Sequence, residues 1–180
     1  MFKNFTKITD AEKHLVLGWR NSDRIRTKMV HKEIITWEDH RSFIDRLKNR
    51  KDCSYYLIYI DKVPIAVSSV TDIDLINNTC SGGMYIGDTH YLGYGIPILY
   101  YGFKNLFENM KFQEDVFNVL KNNKRVYKMH TDIFHARIKQ ETDKEWILFH
   151  NQETYREMKK DLDSKMTDYF GIDKIIYVDK

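Results

Sequence analysis

Apolar and polar residues alternate along several short stretches of the chain, which is the pattern of half-buried β-strands. Two of these stretches flank Asp61-Lys62 and together predict a β-hairpin. Two stretches near the end predict a closing antiparallel pair. The predicted strands are residues 2–8, 55–60, 63–70, 80–86, 112–120, 133–138 and 145–150, with a connection over 72–78.

Apolar residues at helical spacing predict the helices between these strands. Thr9 and Glu12 have the spacing of an N-cap and an early acid, and Thr36 precedes a second helix that runs to residue 47. His40 is the polar exception on the apolar face of that helix. Further helices are predicted through 98–110, from 123 to about 130 and over 153–166, with a final strand or loose tail over 174–178.

The chain has 180 residues, of which 42% are hydrophobic, and this is enough for one domain with a sizeable core. We therefore predict a single domain over residues 1–180, in which 151–180 form a C-terminal helical extension. The net charge of +3 is spread along the sequence, so nucleic-acid binding is not expected.

The cysteine content and the hydropathy of the chain predict its compartment. Cys53 and Cys80 have no metal-ligand neighbours, so no metal site is expected. No apolar run approaches the roughly 18 residues that span a bilayer, so membrane insertion is not expected. The sequence thus predicts a reduced, cytoplasmic protein, and it is compatible with a homodimer.

Residues 85–98 contain the strongest candidate site. They predict a strand, an amide-rich turn and a helix, with Gly93 and Gly95 at the helix start and Pro97 in its first turn. Glycines let a phosphate approach the backbone, and the free N–H groups and dipole of a helix start favour negative charge. The stretch lacks the third glycine of a Rossmann fingerprint and the Gly-Lys-Ser/Thr of a P-loop, so an ordinary loop is the alternative.

Residues 90–95, His-Tyr-Leu-Gly-Tyr-Gly, resemble the pyrophosphate loop Gln/Arg-x-x-Gly-x-Gly/Ala of GNAT-superfamily acetyltransferases, with histidine at the first position. The resemblance implies an α+β fold of GNAT type: a mixed, mostly antiparallel central sheet, flanking helices and a splayed acetyl-CoA cleft. Acetyl-CoA is then the cosubstrate, and a backbone N–H near residues 84–86 the oxyanion donor. The residues expected to bind acetyl-CoA are Met84, Tyr85, Ile86, Tyr91, Leu92, Gly93, Tyr94, Gly95, Asn122 and Asn123.

A second group of motifs resembles the nucleotide-sugar N-acetyltransferases of the pseudaminic acid pathway. Trp-Arg-Asn over 19–21, Ile-Arg over 25–26 and Glu-x-His over 38–40 follow the order found in that family. Its members acetylate the 4-amino group of UDP-4-amino-4,6-dideoxy-N-acetyl-β-L-altrosamine, in nonulosonic acid biosynthesis. The resemblance implies that the nucleotide-sugar contacts Arg20, Met29, His40, Thr71 and Tyr85.

In this class of enzyme the amine attacks the thioester directly, and a tyrosine seven residues after a helix-opening asparagine protonates the leaving thiolate. Counted from Asn123, that position is His130. The candidate proton donors are His130, Tyr127 one turn earlier, and water. The base that takes the amine proton stays open among a carboxylate, His40 and a water chain.

Two alternative functions follow from the same residues. One is a GNAT that acts on a protein N-terminus or another small amine. The other is a catalytically silent domain that binds acyl-CoA or a nucleotide, because the usual tyrosine is absent from position 130.

Overall fold

The computed structural model describes residues 1–170 and 177–178. The chain divides into two compact units. The first contains Met1–Val70 and Met84–Gly95 together with the last strand, and the second contains Thr71–Gly83 and Ile96–Lys174. Within the described residues, helices and strands follow the mixed α/β order that the sequence predicted.

Each element has bounds close to its predicted stretch, with three exceptions discussed below. The helices are α1 (Asp10–Asn21), α2 (Asp23–Arg26), α3 (Trp37–Arg46), α4 (Gly95–Lys104), α5 (Lys124–Lys128) and α6 (Gln152–Phe170). The strands are β1 (Phe2–Asn4), β2 (Ser54–Ile60), β3 (Val63–Asp74), β4 (Thr79–Ile86), β5 (Glu114–Leu120), β6 (Arg137–Glu141), β7 (Glu145–Asn151) and β8 (Tyr177–Val178).

In the first unit, the long helices start where side chains satisfy free backbone N–H groups. Thr9 Oγ1 accepts a hydrogen bond from the Glu12 N–H at 3.3 Å, and the Glu12 carboxylate accepts one from the Thr9 N–H at 2.6 Å. This capping box fixes the start of α1. Thr36 accepts from the Asp39 N–H at 3.1 Å and fixes the start of α3, so both predicted N-caps are confirmed.

The sheet of the first unit runs in the order β4–β3–β2–β1–β8. β1 with β2 and β2 with β3 are antiparallel, whereas β8 is parallel to β1. Asp61 (φ 47) and Lys62 (φ 69) take the left-handed conformation of a two-residue hairpin, which confirms the predicted turn. Apolar side chains from this sheet, from α1 and α3 and from the short turns beside these helices form the core: Phe5, Ile8, Val16, Ile44, Leu47, Leu57 and Val67.

The first strand is shorter than the predicted stretch 2–8. Asn4 Oδ1 accepts hydrogen bonds from the Thr6 N–H at 2.9 Å and from the Thr6 hydroxyl at 2.8 Å. These bonds turn the chain into a 3-10 helix over Phe5–Lys7. Phe5 and Ile8 reach the core from this turn. Their apolar side chains therefore extend the strand-like pattern of the sequence beyond the end of β1.

The sheet of the second unit runs in the order β6–β7–β5–β4, with the end of β3 beside β4. β7 is antiparallel to both β5 and β6. β4 and β5 are parallel and pair at Thr79 with Glu114 and at Cys80 with Asp115. The mixed, mostly antiparallel sheet with flanking helices is thus confirmed.

Two predicted boundaries in the second unit are wrong. β3 continues to Asp74, although the sequence predicted a connection from residue 72. Residues 133–136 were predicted as strand, but Ile133 ends the π-helical turn Met129–Ile133 and the next three residues follow that turn. The Ala136 N–H donates to the His130 carbonyl at 2.9 Å and His135 has a φ of 58°, so the chain turns here and β6 begins only at Arg137.

The predicted charged helix over 153–166 is present as the longer α6, which packs on the helix after β4. Tyr155 donates to Glu108 Oε1 at 2.7 Å, and Lys159 Nζ lies 2.6 Å from the same oxygen. Tyr100 of α4 donates to Asp163. None of the described helices is both long and apolar enough to cross a membrane.

Candidate active site

The predicted phosphate-binding loop lies in the first unit, between the end of β4 and the start of α4. The N–H groups of Gly87 and Asp88 both donate to the Ile65 carbonyl, at 2.8 and 3.0 Å, and so anchor the loop to β3. Asp88 Oδ1 accepts from the His90 N–H at 2.9 Å and starts a 3-10 helix over Thr89–Tyr94. α4 then begins at Gly95, as the glycine pattern predicted.

The tip of this loop is open to solvent. Leu92 is 50% exposed, and a side chain added at Gly93 would meet no atom within 4 Å. The rings of Tyr91 and Tyr94 flank the tip with centroids 5.5 Å apart. The loop therefore presents its backbone to solvent directly before a helix start, which is the arrangement that anion binding requires.

Gly87 fixes the position of the candidate loop, and the sequence interpretation did not single it out. A Cβ at this position would lie 2.0 Å from Cδ2 of Trp19, and the Gly87 carbonyl accepts from Arg24 Nη2 at 2.6 Å. Only glycine lets the loop approach the end of α1 this closely. The signal in the sequence was a glycine immediately after a strand, at a position outside the pyrophosphate motif.

The end of α1 organises the residues that follow it. Asn21 makes two bonds to Ile35, donating from Nδ2 to its carbonyl at 2.8 Å and accepting from its N–H at 2.9 Å. Arg20 donates from Nη2 to the His31 carbonyl at 2.6 Å. Burial raises the pKa of Tyr85 and the charge of Arg20 opposes that rise, so these two predicted substrate residues lie near each other.

Two buried polar atoms among the predicted substrate residues have no hydrogen-bond partner in the described part of the chain. They are Nη1 of Arg20 and Nε2 of His40. His40 lies on α3 with its side chain buried, and burial lowers its pKa. Met29 is half-buried in the segment between α2 and α3. Buried donors and acceptors of this kind are normally paired, and a ligand is one way to pair them.

Met84 and Ile86 end β4 in the first unit, whereas Thr71, Asn122 and Asn123 lie in the second unit. Thr71 Oγ1 lies 3.1 Å from Asp72 Oδ2 and 3.3 Å from the Ser81 carbonyl, on the part of β3 that pairs with β4. Asn122 is exposed. Asn123 precedes α5, and its carbonyl accepts from the Tyr127 N–H at 3.1 Å.

The two candidate proton donors occupy different environments. His130 is 7% exposed, and aromatic rings surround it, with ring centroids 4.4 Å away for Phe117 and 6.2 Å for Phe103. Burial lowers the pKa of His130 to about 4, so its ring is neutral at pH 7. Tyr127 is half-buried and stacks on Trp146 at 4.1 Å.

The structure also brings together polar residues that the sequence interpretation did not single out. His130 Nδ1 lies 3.5 Å from Nε2 of His150, which is fully buried on β7. Asp115 of β5 is the register partner of His150 and is 1% exposed. Burial raises the pKa of Asp115 to about 7, although its Oδ1 accepts from the Gly82 N–H at 2.6 Å. No group of three potential metal ligands occurs among the described residues.

No protein-family profile matches the chain. Acetyltransferase PseH from Campylobacter jejuni subsp. jejuni serotype O:23/36 (strain 81-176) is 28% identical over 128 residues, which cover 71% of this chain and 79% of that protein. The crystal structure of Campylobacter jejuni N-acetyltransferase PseH in complex with acetyl coenzyme A is 24% identical with a TM-score of 0.69, over 84% of this chain and 98% of that chain.

A further similar structure is apo FdhC, a nucleotide-linked sugar GNAT. It is 21% identical with a TM-score of 0.73, and the match covers 85% of this chain and 88% of that chain. At these identities the solved structures establish the fold, and they confirm the GNAT fold expected from residues 90–95. Together with the curated relative, they confirm the predicted resemblance: the chain has a GNAT-type fold and is similar to the PseH acetyltransferases.

Proposed function

We propose that the protein transfers the acetyl group of acetyl-CoA to the 4-amino group of a UDP-linked amino-deoxy sugar, a step of nonulosonic or pseudaminic acid biosynthesis. The observation that carries the proposal is a double similarity. The chain resembles PseH, whose structure contains acetyl coenzyme A, and it has the fold of FdhC, a nucleotide-linked sugar GNAT. The motifs over 19–40 support the same acceptor class.

Acetyl-CoA binding would rest on the loop of residues 90–95 and its neighbours. The open tip at Leu92 and Gly93 and the start of α4 at Gly95 suit a pyrophosphate, because free N–H groups and the helix dipole attract it. A backbone N–H of residues 84–86 would donate to the oxyanion of the tetrahedral intermediate. Asn122 and Asn123 are proposed as further cofactor contacts.

The nucleotide-sugar would pair the polar atoms that the protein leaves unpartnered. A phosphate oxygen can accept from Nη1 of Arg20, and His40 Nε2 can donate to or accept from a hydroxyl or phosphate. The half-buried ring of Tyr85 offers a stacking face for a base. Met29 and Thr71 complete the proposed acceptor contacts.

The reaction would be direct attack of the neutral amine on the thioester, followed by protonation of the coenzyme A thiolate. His130 and Tyr127 are the proposed donors. Tyr127 is the simpler acid, since it carries a phenolic proton. His130 is neutral, and a neutral imidazole releases one proton only while it takes up another.

Free-thiol release from acetyl-CoA tests the proposal. The acceptors are a panel of UDP-4-amino sugars, a peptide amine, and no acceptor. The variants are Tyr127→Phe, which keeps the stack on Trp146, and His130→Gln, which keeps an N–H donor but cannot pass a proton through a ring. We expect release only with a UDP-amino sugar and a roughly 100-fold loss of kcat in the variant that lacks the donor.

Two results would contradict this proposal. Release with the peptide amine but with no UDP-amino sugar would move the acceptor to another amine class. Tight acetyl-CoA binding without release for any acceptor would leave only a binding function.

A further inference from the structure

Residues 30–35 lie between α2 and α3 and are held mainly by polar side chains. None of them is buried, and Val30 and Ile34 are 85% and 69% exposed. The side-chain hydrogen bonds described for the backbone of this stretch come from α1 and α2. Arg26 of α2 donates from Nη1 to the Lys32 carbonyl at 2.7 Å. Because the stretch buries little apolar surface, these bonds decide where it lies.

Asn21, the last residue of α1, makes two of these hydrogen bonds with a single residue. Its Nδ2 donates to the Ile35 carbonyl at 2.8 Å, and its Oδ1 accepts from the Ile35 N–H at 2.9 Å. A side-chain amide that donates to and accepts from the same residue sets both the position and the direction of that part of the backbone. Asn21 therefore holds residues 30–35 against the end of α1.

The orientation of Arg20 depends on the same stretch. Its Nη2 donates to the His31 carbonyl at 2.6 Å, whereas its Nη1 is buried and has no hydrogen-bond partner in the described part of the chain. The guanidinium group is planar, so the bond at Nη2 also sets the direction in which Nη1 points. A buried and unpaired guanidinium N–H is suited to a phosphate oxygen.

We propose that Asn21 is a positioning residue of the acceptor site. It fixes residues 30–35, and the His31 carbonyl in that stretch then holds Arg20 with Nη1 directed at the nucleotide-sugar. The inference rests on the proposed function, in which a phosphate oxygen of a UDP-linked sugar accepts from Nη1 of Arg20. Asn21 takes no part in the acetyl transfer itself.

Other contacts hold α1 and α3 together when the hydrogen bonds of Asn21 are lost. The ring of Trp37, at the start of α3, stacks on His14 of α1 with centroids 3.7 Å apart. Val16 and Ile44, from the same two helices, both lie in the core. A variant at Asn21 is therefore expected to fold and to change only the connection between α2 and α3.

Steady-state kinetics of Asn21→Ala test this role. We expect KM for the UDP-amino sugar to rise roughly 10-fold, while KM for acetyl-CoA stays at the wild-type value. The matched control is Ser22→Ala, which removes a 2.6 Å hydrogen bond from the neighbouring side chain to the Trp19 carbonyl but no bond to residues 30–35. This control keeps both KM values. The inference is overturned if the two KM values of Asn21→Ala rise equally or if its KM for the sugar is unchanged.

A double variant tests whether Asn21 acts through Arg20. Arg20→Gln removes the guanidinium group and is expected to raise KM for the sugar by itself. If Asn21 acts by orienting that group, adding Asn21→Ala to Arg20→Gln raises this KM by less than about 2-fold further. If the effects of the two substitutions multiply instead, Asn21 acts independently of Arg20 and the inference is wrong.

Hydrogen exchange on the unaltered protein gives a test that needs no variant. With mass-spectrometric detection, saturating UDP is expected to slow the exchange of the backbone N–H groups of residues 30–35, and acetyl-CoA to leave it unchanged. Bound UDP that does not slow this exchange would overturn the inference. If UDP slows it but the wild-type protein acetylates no UDP-amino sugar, the proposed reaction fails and the positioning role stands. A protein that binds no UDP would contradict both.

Discussion

Glu12 in the first unit and Asp115 in the second are both shielded from water, yet their pKa values are shifted in opposite directions. Burial alone would raise the pKa of Glu12, but hydrogen bonds from Lys3, Tyr59 and Thr9 outweigh it and lower the pKa to about 2. At Asp115 burial raises the pKa and the hydrogen bond from the Gly82 N–H lowers it. Burial has the larger effect, and the pKa rises to about 7.

The difference separates a carboxylate that its partners keep ionised from one that burial keeps protonated. Glu12 joins β1, β2 and the start of α1, because its donors come from Lys3, Tyr59 and Thr9 and leave it saturated. Asp115 joins few groups and keeps a proton that it can lose near neutral pH. Groups whose pKa is shifted toward the working pH by burial are the ones that concentrate at active sites.

The tightest packing in the first unit can be broken at Gly87. Gly87→Ala places a Cβ 2.0 Å from the ring of Trp19, while both backbone polar groups of Gly87 are already bonded. We expect a loss of about 3 kcal/mol or more in the free energy of unfolding, measured by urea denaturation. Gly93→Ala is the matched control, since its Cβ meets nothing within 4 Å, and a comparable loss there would refute the packing argument.

Removing the charge of Glu12 tests the saturated carboxylate. We expect Glu12→Gln to cost about 2 kcal/mol at pH 7, because three donors lose an ionised acceptor. Since the folded-state pKa is depressed, the stabilisation is present above pH 4.5 and is lost as the pH falls toward 2. Asp45→Asn, at an exposed ion pair with Lys48, is the control and changes little. Equal costs for both variants would contradict the comparison.

The same charge removal at Asp115 has the opposite sign. The folded-state pKa is raised, so its contribution is full below the unfolded value near 3.8 and is lost as the pH rises through 7. We expect Asp115→Asn to gain about 1 to 2 kcal/mol at pH 8 and to gain nothing at pH 4, measured by thermal unfolding at both values. If Asp115→Asn instead loses stability at pH 8, the ionised Asp115 is stabilised by hydrogen bonds, as Glu12 is, and the prediction is wrong.

The smallest effect is expected on the exposed side of α1. Gly18 lies inside the helix, and a Cβ there would meet no atom within 4 Å. Gly18→Ala should raise the free energy of unfolding by about 0.5 to 1 kcal/mol, because alanine loses less backbone entropy in a helix. If the denaturation midpoint stays the same or falls, this face of α1 does not have room for the added methyl group.

Local chemistry let the sequence predict much of the fold. Thr9 and Thr36 cap their helices from neighbouring positions, and the turn at Asp61-Lys62 needs only its own two residues. The loop over 90–95 is also a local motif, and its resemblance to the GNAT pyrophosphate loop led to the fold that the comparisons confirm. The roles predicted for its residues and for Arg20, His40 and His130 stay predictions.

The sequence by itself therefore determined the element order, the helix starts and the family resemblance, since each depends on residues close together in the chain. Tertiary structure alone decided the environment of each ionisable group. Strand register placed Asp115 opposite His150, and the turn after α5 brought His130 Nδ1 to 3.5 Å from Nε2 of His150. Burial is a property of the packed chain, and it set a histidine pKa of about 4 and a carboxyl pKa of about 7 that no local pattern encodes.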